Sequence, residues 1–154
     1  NGESSSESFH GLPDGAATFP DTRPSNELGW IYVSNSEVKS SEGNKTPGGV
    51  GALTFDREGN VIDYRMLLTN TRANCAGGRT PWGSWVSCEE IEGGRIYQVD
   101  PLGQREPEPI TMGDIGTFPG LFECFAYDAR DRSHPRFFVT KDHEVGELRR
   151  LYVH

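Results

Sequence analysis

Short β-branched and aromatic runs, each followed closely by glycine, proline, asparagine or aspartate, recur along this chain from Trp30 onward. That spacing constrains the fold more than any other feature, because runs of five to eight residues between turn formers are too short for packed helices and suit strands. The runs are Trp30 to Asn35, Gly49 to Asp56, Val61 to Leu68, Ser84 to Glu89, Arg95 to Asp100, Glu108 to Met112, Leu121 to Asp128, Arg136 to Asp142 and Leu148 to Val153. Composition supports the same reading: 19 Gly and 10 Pro among 154 residues favour turn-rich β-structure over a helical bundle. Arg57-Glu-Gly-Asn60 separates two runs and predicts a hairpin, since Gly and Asn accept positive φ. The expected fold is all-β, with less than about a tenth of the residues in helix.

Turns every eight to twelve residues leave a sandwich, a barrel or a propeller. Ala52-Leu-Thr-Phe-Asp56 and Arg95-Ile-Tyr-Gln-Val-Asp100 each end in Asp before a Gly-bearing turn, the kind of repeat that blades give. At about 40 to 50 residues per blade the chain holds about three, and a closed propeller needs at least four. The expectation is a partial, open β-propeller of antiparallel blades over residues 9–154. Residues 1–8 (Asn-Gly-Glu-Ser-Ser-Ser-Glu-Ser) read as a flexible polar arm, and Phe9 to Leu28 as a loop.

Charge and hydropathy exclude two classes of partner. With 15 Lys+Arg against 23 Asp+Glu the formal charge is −8, and no basic run exceeds Arg149-Arg150, so no nucleic-acid surface is expected. No apolar stretch approaches the length of a membrane span. Asn1 in place of Met reads as a processed product or a piece of a longer protein, and no signal-peptide pattern is present. Three cysteines, Cys75, Cys88 and Cys124, are an odd number, so at least one is a free thiol or a ligand. Asn44-Lys45-Thr46 is a glycosylation triplet that matters only in a secreted protein.

The densest chemistry lies in Asn74-Cys-Ala-Gly-Gly-Arg-Thr-Pro-Trp-Gly-Ser-Trp-Val-Ser-Cys-Glu-Glu90. Strand alternation puts Ser84, Val86, Cys88 and Glu90 on one face and Trp85, Ser87 and Glu89 on the other. Only one of the two glutamates can therefore point inward. A thiolate with carboxylates makes a transition-metal site, the sulfur favouring iron or zinc over calcium.

The chain from Trp30 onward resembles the PhoX-type alkaline phosphatase family. The resemblance is carried by Gly29-Trp-Ile-Tyr-Val-Ser-Asn-Ser-Glu37, Gly48-Gly-Val-Gly-Ala-Leu53, Asn74-Cys-Ala-Gly-Gly78, Thr80-Pro-Trp-Gly-Ser-Trp85, Cys88-Glu-Glu90, Leu121-Phe-Glu123 and Phe138-Val-Thr140. It implies a six-bladed propeller with iron and calcium in its axial channel, acting on phosphomonoester small molecules. It implies Cys75 as an iron ligand, Glu90 and Glu123 as metal ligands that also carry catalysis, and Glu37 as a residue that reaches calcium. A secreted or periplasmic-type compartment would follow from the resemblance alone. The chain departs from the family pattern at Thr140-Lys-Asp142, where Thr-Glu-Asp is expected, and it has no counterpart of the later blades. The chain alone is therefore expected to bind iron weakly or not at all and to lack measurable phosphatase activity.

Plainer readings stand beside these. Cys75 also fits a half-buried thiol, and Cys88 and Cys124 read as core residues. Glu89 reads as a solvated group or one behind the metal ligands, Glu37 as a solvated loop end, and Gly77-Gly78 as a tight turn. Trp82 and Trp85 read as packing. His10, His134, His143 and His154 show no ligand spacing, with His143 expected at the surface. As a whole, the chain fits either a metal-dependent phosphomonoesterase or a non-catalytic propeller used for binding or scaffolding. Its oligomeric state is not written in the sequence.

Overall fold

The computed structural model describes residues 7–39, 48–110 and 120–151. Among them are eleven strands and one 3-10 turn, Pro24–Asn26. The strands are β1 (Pro13–Pro20), β2 (Trp30–Ser36), β3 (Gly48–Phe55), β4 (Val61–Thr71), β5 (Asn74–Arg79), β6 (Trp85–Glu89), β7 (Ile96–Val99), β8 (Glu108–Pro109), β9 (Phe122–Asp128), β10 (Arg136–Lys141) and β11 (Glu147–Leu151). They form three antiparallel meanders, β1-β2-β3-β4, β5-β6-β7-β8 and β9-β10-β11, and none closes into a barrel. The all-β expectation holds.

Local chemistry explains the meanders. In the β3–β4 hairpin, Gly59 takes φ +86°, and Asp56 bonds both the backbone and the side chain of Asn60. Trp30 and Phe55 are register partners, and their rings stack 3.9 Å apart, a cross-strand pair contributing about 0.2–1 kcal/mol. The middle meander has two buried faces. Trp85 and Val99 pack with Phe19, Ile31, Val33, Val50, Ala52 and Leu68 of the first sheet. Val86, Cys88 and Ile96 pack with Phe122, Phe125, Phe137 and Val139 of the third. The alternation expected along β6 is thus realised, although every residue of the strand is buried.

Two strands are corrections to the sequence reading. The presumed loop Phe9 to Leu28 contains β1, whose Pro, Asp and Gly residues mask a run paired in register with β2 from Ala16↔Ser34 to Pro20↔Trp30. Gly77-Gly78 is no turn: both residues lie in β5. A Cβ on Gly77 would stand 1.9 Å from Val86 O, and one on Gly78 would stand 2.0 Å from Phe125 O. The glycine pair therefore lets neighbouring backbones meet across β5. The strand expected to reach Met112 ends at Pro109. Met112, residues 1–6 of the arm, the Asn44–Thr46 triplet, Val153 and His154 lie outside the described residues.

The site is positioned by the first strand of each sheet. β5 packs against both β1 and β9, so the three first strands lie side by side. Each carries a bulge at the same place, where two of its residues face one residue of the next strand. Asp14 and Gly15 face Asn35, Cys75 and Ala76 face Cys88, and Glu123 and Cys124 face Thr140. Bulges of this kind kink a strand and re-aim its side chains.

Candidate metal centre

Cys75, the first residue of the β5 bulge, is buried, and its Sγ donates to Glu123 Oε1 at 3.4 Å. Donor atoms of Cys75, Glu90 and Glu123 lie within 4.8 Å of one another. An ion held at about 2.0–2.6 Å from each donor leaves donors up to about 5 Å apart, so the three side chains can share one cation. Glu123 is the first bulge residue of β9, and Glu90 immediately follows β6. Three segments distant in sequence therefore converge on one point.

Glu37 meets the same sulfur. Asp14, Glu37 and Cys75 also have donor atoms within 4.8 Å of one another, so all four residues singled out in the sequence gather around one sulfur. Lys39 Nζ lies 3.1 Å from Glu37, and its positive charge also reaches Glu90 and Cys75.

Electrostatics shows what this arrangement favours. Burial, followed by the hydrogen bond and charge of Glu123, pushes the Cys75 thiol far up. Burial also raises Glu90, reinforced by the charge of Glu123 and a hydrogen bond with Asp142, and opposed by the Cys75 bond and Lys39. In the protein alone, both groups are driven toward their protonated forms, first by burial and then by the negative charge of Glu123. A bound cation reverses that preference, because thiolate and carboxylate must be deprotonated to ligate. A thiol among carboxylates suits a transition metal with harder cations beside it, and the donor set fits iron and calcium in that respect.

Two participants were missed by the sequence reading, Asp14 and Asp142. Both follow a positional rule repeated in the three sheets. Glu37, Glu90 and Asp142 each stand two residues beyond the residue that faces a bulge, which is Asn35, Cys88 or Thr140. Asp14, Cys75 and Glu123 are the first residues of the bulges themselves. By the same rule Lys141 is the equivalent of Ser36 and Glu89, on the alternate face. Its buried ammonium sits 5.7 Å from the Phe122 ring centroid, and Asp142 holds the acidic position. Asp14 was hidden in a Pro-Asp-Gly triplet that reads as a turn. The signal for Asp142 was its offset from Thr140, equal to that of Glu90 from Cys88.

Other expectations change. Glu89 is not solvated: it is 7% exposed, and its two oxygens accept the backbone N–H groups of Arg72 and Arg95, each at 2.8 Å. Cys124 is exposed rather than core, because the bulge turns it outward from β9. Trp82 is half exposed, with its ring edge on Phe137, whereas Trp85 is buried as expected. Cys88 is fully buried, and burial raises its thiol strongly. His143 is exposed. His10 is buried, its ring bonded to Tyr64, Ser34 and the Asn35 carbonyl.

Among the described residues no helix is long and apolar enough to cross a membrane. No curated protein and no solved structure matches the chain. A family model, alkaline phosphatase PhoX, matches residues 49–143, a span that contains Cys75, Glu90, Glu123 and Asp142 and leaves Asp14 and Glu37 outside it. Because that match covers well over half of the 154 residues, the chain belongs to the alkaline phosphatase PhoX family.

Proposed function

We propose that this protein hydrolyses phosphomonoesters of small molecules at a metal centre built around Cys75, and that residues 9–154 form an arc of propeller blades around it. The observation that carries this reading is the convergence on the Cys75 sulfur of Glu90 from the same sheet, Glu123 from the third sheet, and Asp14 and Glu37 from the first. Family membership supports the phosphatase chemistry, and the side-by-side first strands with their repeated bulges support the blades.

Cys75 would hold iron through its thiolate, with Glu90 and Glu123 completing the shared point. Glu37, Asp14 and Asp142 would offer oxygens to calcium, which takes six to eight of them. When bound, such ions supply Lewis-acid stabilisation of the phosphoryl oxygens as charge develops in displacement. The protein's own part is to hold these acids at fixed places. Ligation needs the Cys75 thiol and the carboxyl groups deprotonated, so loading the centre would release protons to solvent. Lys39 balances part of the negative charge at Glu37.

Three sheets are described, fewer than the four of the smallest closed propeller. The expected result is therefore weak iron binding or none, and no turnover of an aryl phosphate, by the 154-residue chain. An extended form carrying further blades should show iron, calcium and turnover, all lost in Cys75→Ala and Glu90→Gln. Metal content by elemental analysis and aryl-phosphate hydrolysis are the measurements. A metal-free extended form whose stability is unaltered by Cys75→Ala would leave a binding or scaffold protein instead.

A further inference from the structure

Asn35, in the first sheet, is completely buried, yet its carboxamide serves the second. Its Nδ2 donates to Cys75 O at 2.6 Å and to Ala76 O at 2.9 Å. Its Oδ1 accepts Trp85 Nε1–H at 2.9 Å. These partners fix the orientation of the amide from both ends, since an indole N–H can only donate and a carbonyl can only accept. The two carbonyls belong to the bulge of β5, whose residues have no register partner in β6. A neighbouring strand thus supplies the bonds that the ladder omits, at the residue whose sulfur meets Glu123.

β1 clamps the same point. A Cβ on Gly15 would stand 2.7 Å from Ala76 Cα and 2.9 Å from Cys75 O, so backbone approaches backbone there without a side chain between. The Asn35 carbonyl in turn accepts from His10 Nε2 at 3.1 Å, which anchors the buttress from behind.

We infer that Asn35 is a positioning residue for the metal centre: its carboxamide holds the Cys75–Ala76 bulge so that Cys75 Sγ faces Glu90 and Glu123. The metal part of this inference rests on the reading of Cys75 as a ligand, while the positioning part does not. Outer groups that orient ligands typically change metal affinity by about 10- to 100-fold when removed.

The test has two arms on the full 154-residue chain, comparing Asn35→Ser with Val33→Ala, a buried β2 residue with no bond to the bulge. In the first arm, without metal, iodoacetamide alkylation at fixed pH is followed residue by residue by mass spectrometry, with exposed Cys124 as internal reference. Asn35→Ser is expected to raise the Cys75 rate relative to Cys124, and Val33→Ala to leave the ratio unchanged. Equal ratios in both variants overturn the inference. In the second arm, Cd2+ is titrated and the thiolate charge-transfer absorbance is taken as the difference from Cys75→Ser. An affinity about 10- to 100-fold weaker in Asn35→Ser than in Val33→Ala supports positioning, and equal affinities overturn it. Absence of any Cys75-dependent band in the unsubstituted chain would overturn the metal part of this inference for the 154-residue chain, and the alkylation arm would still decide the role of Asn35. Should Asn35→Ser not fold, Asn35→Asp, which keeps the Trp85 bond and loses both donations, takes its place in both arms.

Discussion

Glu89 and Glu90 are adjacent in sequence and work on opposite faces of the second sheet. Glu89 turns inward to accept the backbone N–H groups of Arg72 and Arg95, 2.8 Å from one oxygen each, tying the entry to β5 to the entry to β7. Glu90 turns the other way, where its oxygen meets Cys75 and Glu123. One residue of strand phase separates a structural staple from a candidate ligand.

The two glutamines should therefore behave oppositely. Glu89→Gln puts an NH2 group against a backbone N–H in place of an acceptor, and charge-assisted bonds of this kind contribute about 1.5–3 kcal/mol. A loss of about 1–3 kcal/mol in urea unfolding is expected, with the Cys75-dependent Cd2+ affinity unchanged. Glu90→Gln should abolish or greatly weaken that affinity and leave the metal-free protein as stable or more so at neutral pH. The sign follows from the raised Glu90 pKa. Its charged form costs the folded state stability above the folded pKa, and that cost disappears as pH falls toward the unfolded carboxylate value or when the charge is removed. If Glu90→Gln destabilised the metal-free chain at pH 7 by as much as Glu89→Gln does, the two assignments would be reversed.

The glycine pair of β5 gives a purely steric expectation. At Gly77 and Gly78 the atoms within about 2 Å of an added Cβ are the backbone carbonyls of Val86 and Phe125, which cannot swing aside as a flexible side chain would. Gly78→Ala must separate β5 from β9, and Gly77→Ala must separate β5 from β6. Each should cost more than about 3 kcal/mol, at the upper end for single substitutions. Thermal unfolding measures the loss, and hydrogen exchange should show β9–β10 losing protection first in Gly78→Ala. An alanine variant at Gly78 with an unchanged midpoint would mean that the third sheet does not pack on β5.

Asp21 ties down the connection between β1 and β2. Its buried carboxylate accepts Arg23 Nε at 2.8 Å and Nη2 at 2.7 Å, and also Asn26 Nδ2 at 2.9 Å. The bonds from Arg23 come first in holding it well below the usual carboxylate range. The stability this provides is complete above the unfolded pKa of about 4 and is lost as pH falls below it toward the folded value. Arg23 keeps a quarter of its side chain in water, which weakens the ionic part, so Asp21→Asn should cost about 1–3 kcal/mol at pH 7. The difference from the unsubstituted chain should shrink between pH 4 and pH 2. A gap that stayed constant over that interval would show that the carboxylate charge contributes nothing.

The strand pattern was readable because a half-buried strand announces itself through β-branched and aromatic residues at period two, as Trp30 to Asn35 and Arg136 to Asp142 do. β1 and β5 were not, since Pro13-Asp-Gly15 and Gly77-Gly78 look like punctuation. Gly15 and Gly78 serve close approach between first strands and Gly77 between β5 and β6, a tertiary demand with no local signature. Cys75, Glu90 and Glu123 could be singled out from their motifs, but Asp14 and Asp142 could not. The rule that selects them is a bulge position repeated across three sheets, and the spacing within each pair, Asp14 to Glu37, Cys75 to Glu90 and Glu123 to Asp142, varies with hairpin length and hides the repeat. Glu89 was misread for a related reason: alternation turns it away from Glu90 but does not say that two backbone amides wait on the other side.

His10 supplies a pH dependence separate from that of Asp21. Its Nε2 faces the Asn35 carbonyl at 3.1 Å and must carry the hydrogen, because a carbonyl only accepts. Nδ1 is then the acceptor, 3.1 Å from the Tyr64 hydroxyl. The ring is 3% exposed as part of its residue. Burial lowers its pKa, partly opposed by the bond to Asn35, so the folded state favours neutral imidazole. The unfolded chain takes up a proton near pH 6.5 and the folded chain only at lower pH. Stability is therefore full above about pH 6.5 and declines as pH falls through the interval between the two values, by at most about 1.4 kcal/mol per pH unit. His10→Gln, whose amide can donate to Asn35 without titrating, should lose about 1 kcal/mol at pH 7.5 and flatten the slope between pH 6.5 and 5.5. Urea midpoints across that range measure it, and an NMR titration of the His10 ring reports the folded pKa directly. A His10 ring that protonated at or above pH 6.5 in the folded protein, with the slope unchanged in His10→Gln, would show that this histidine gains its charge at no cost and that the dependence arises elsewhere.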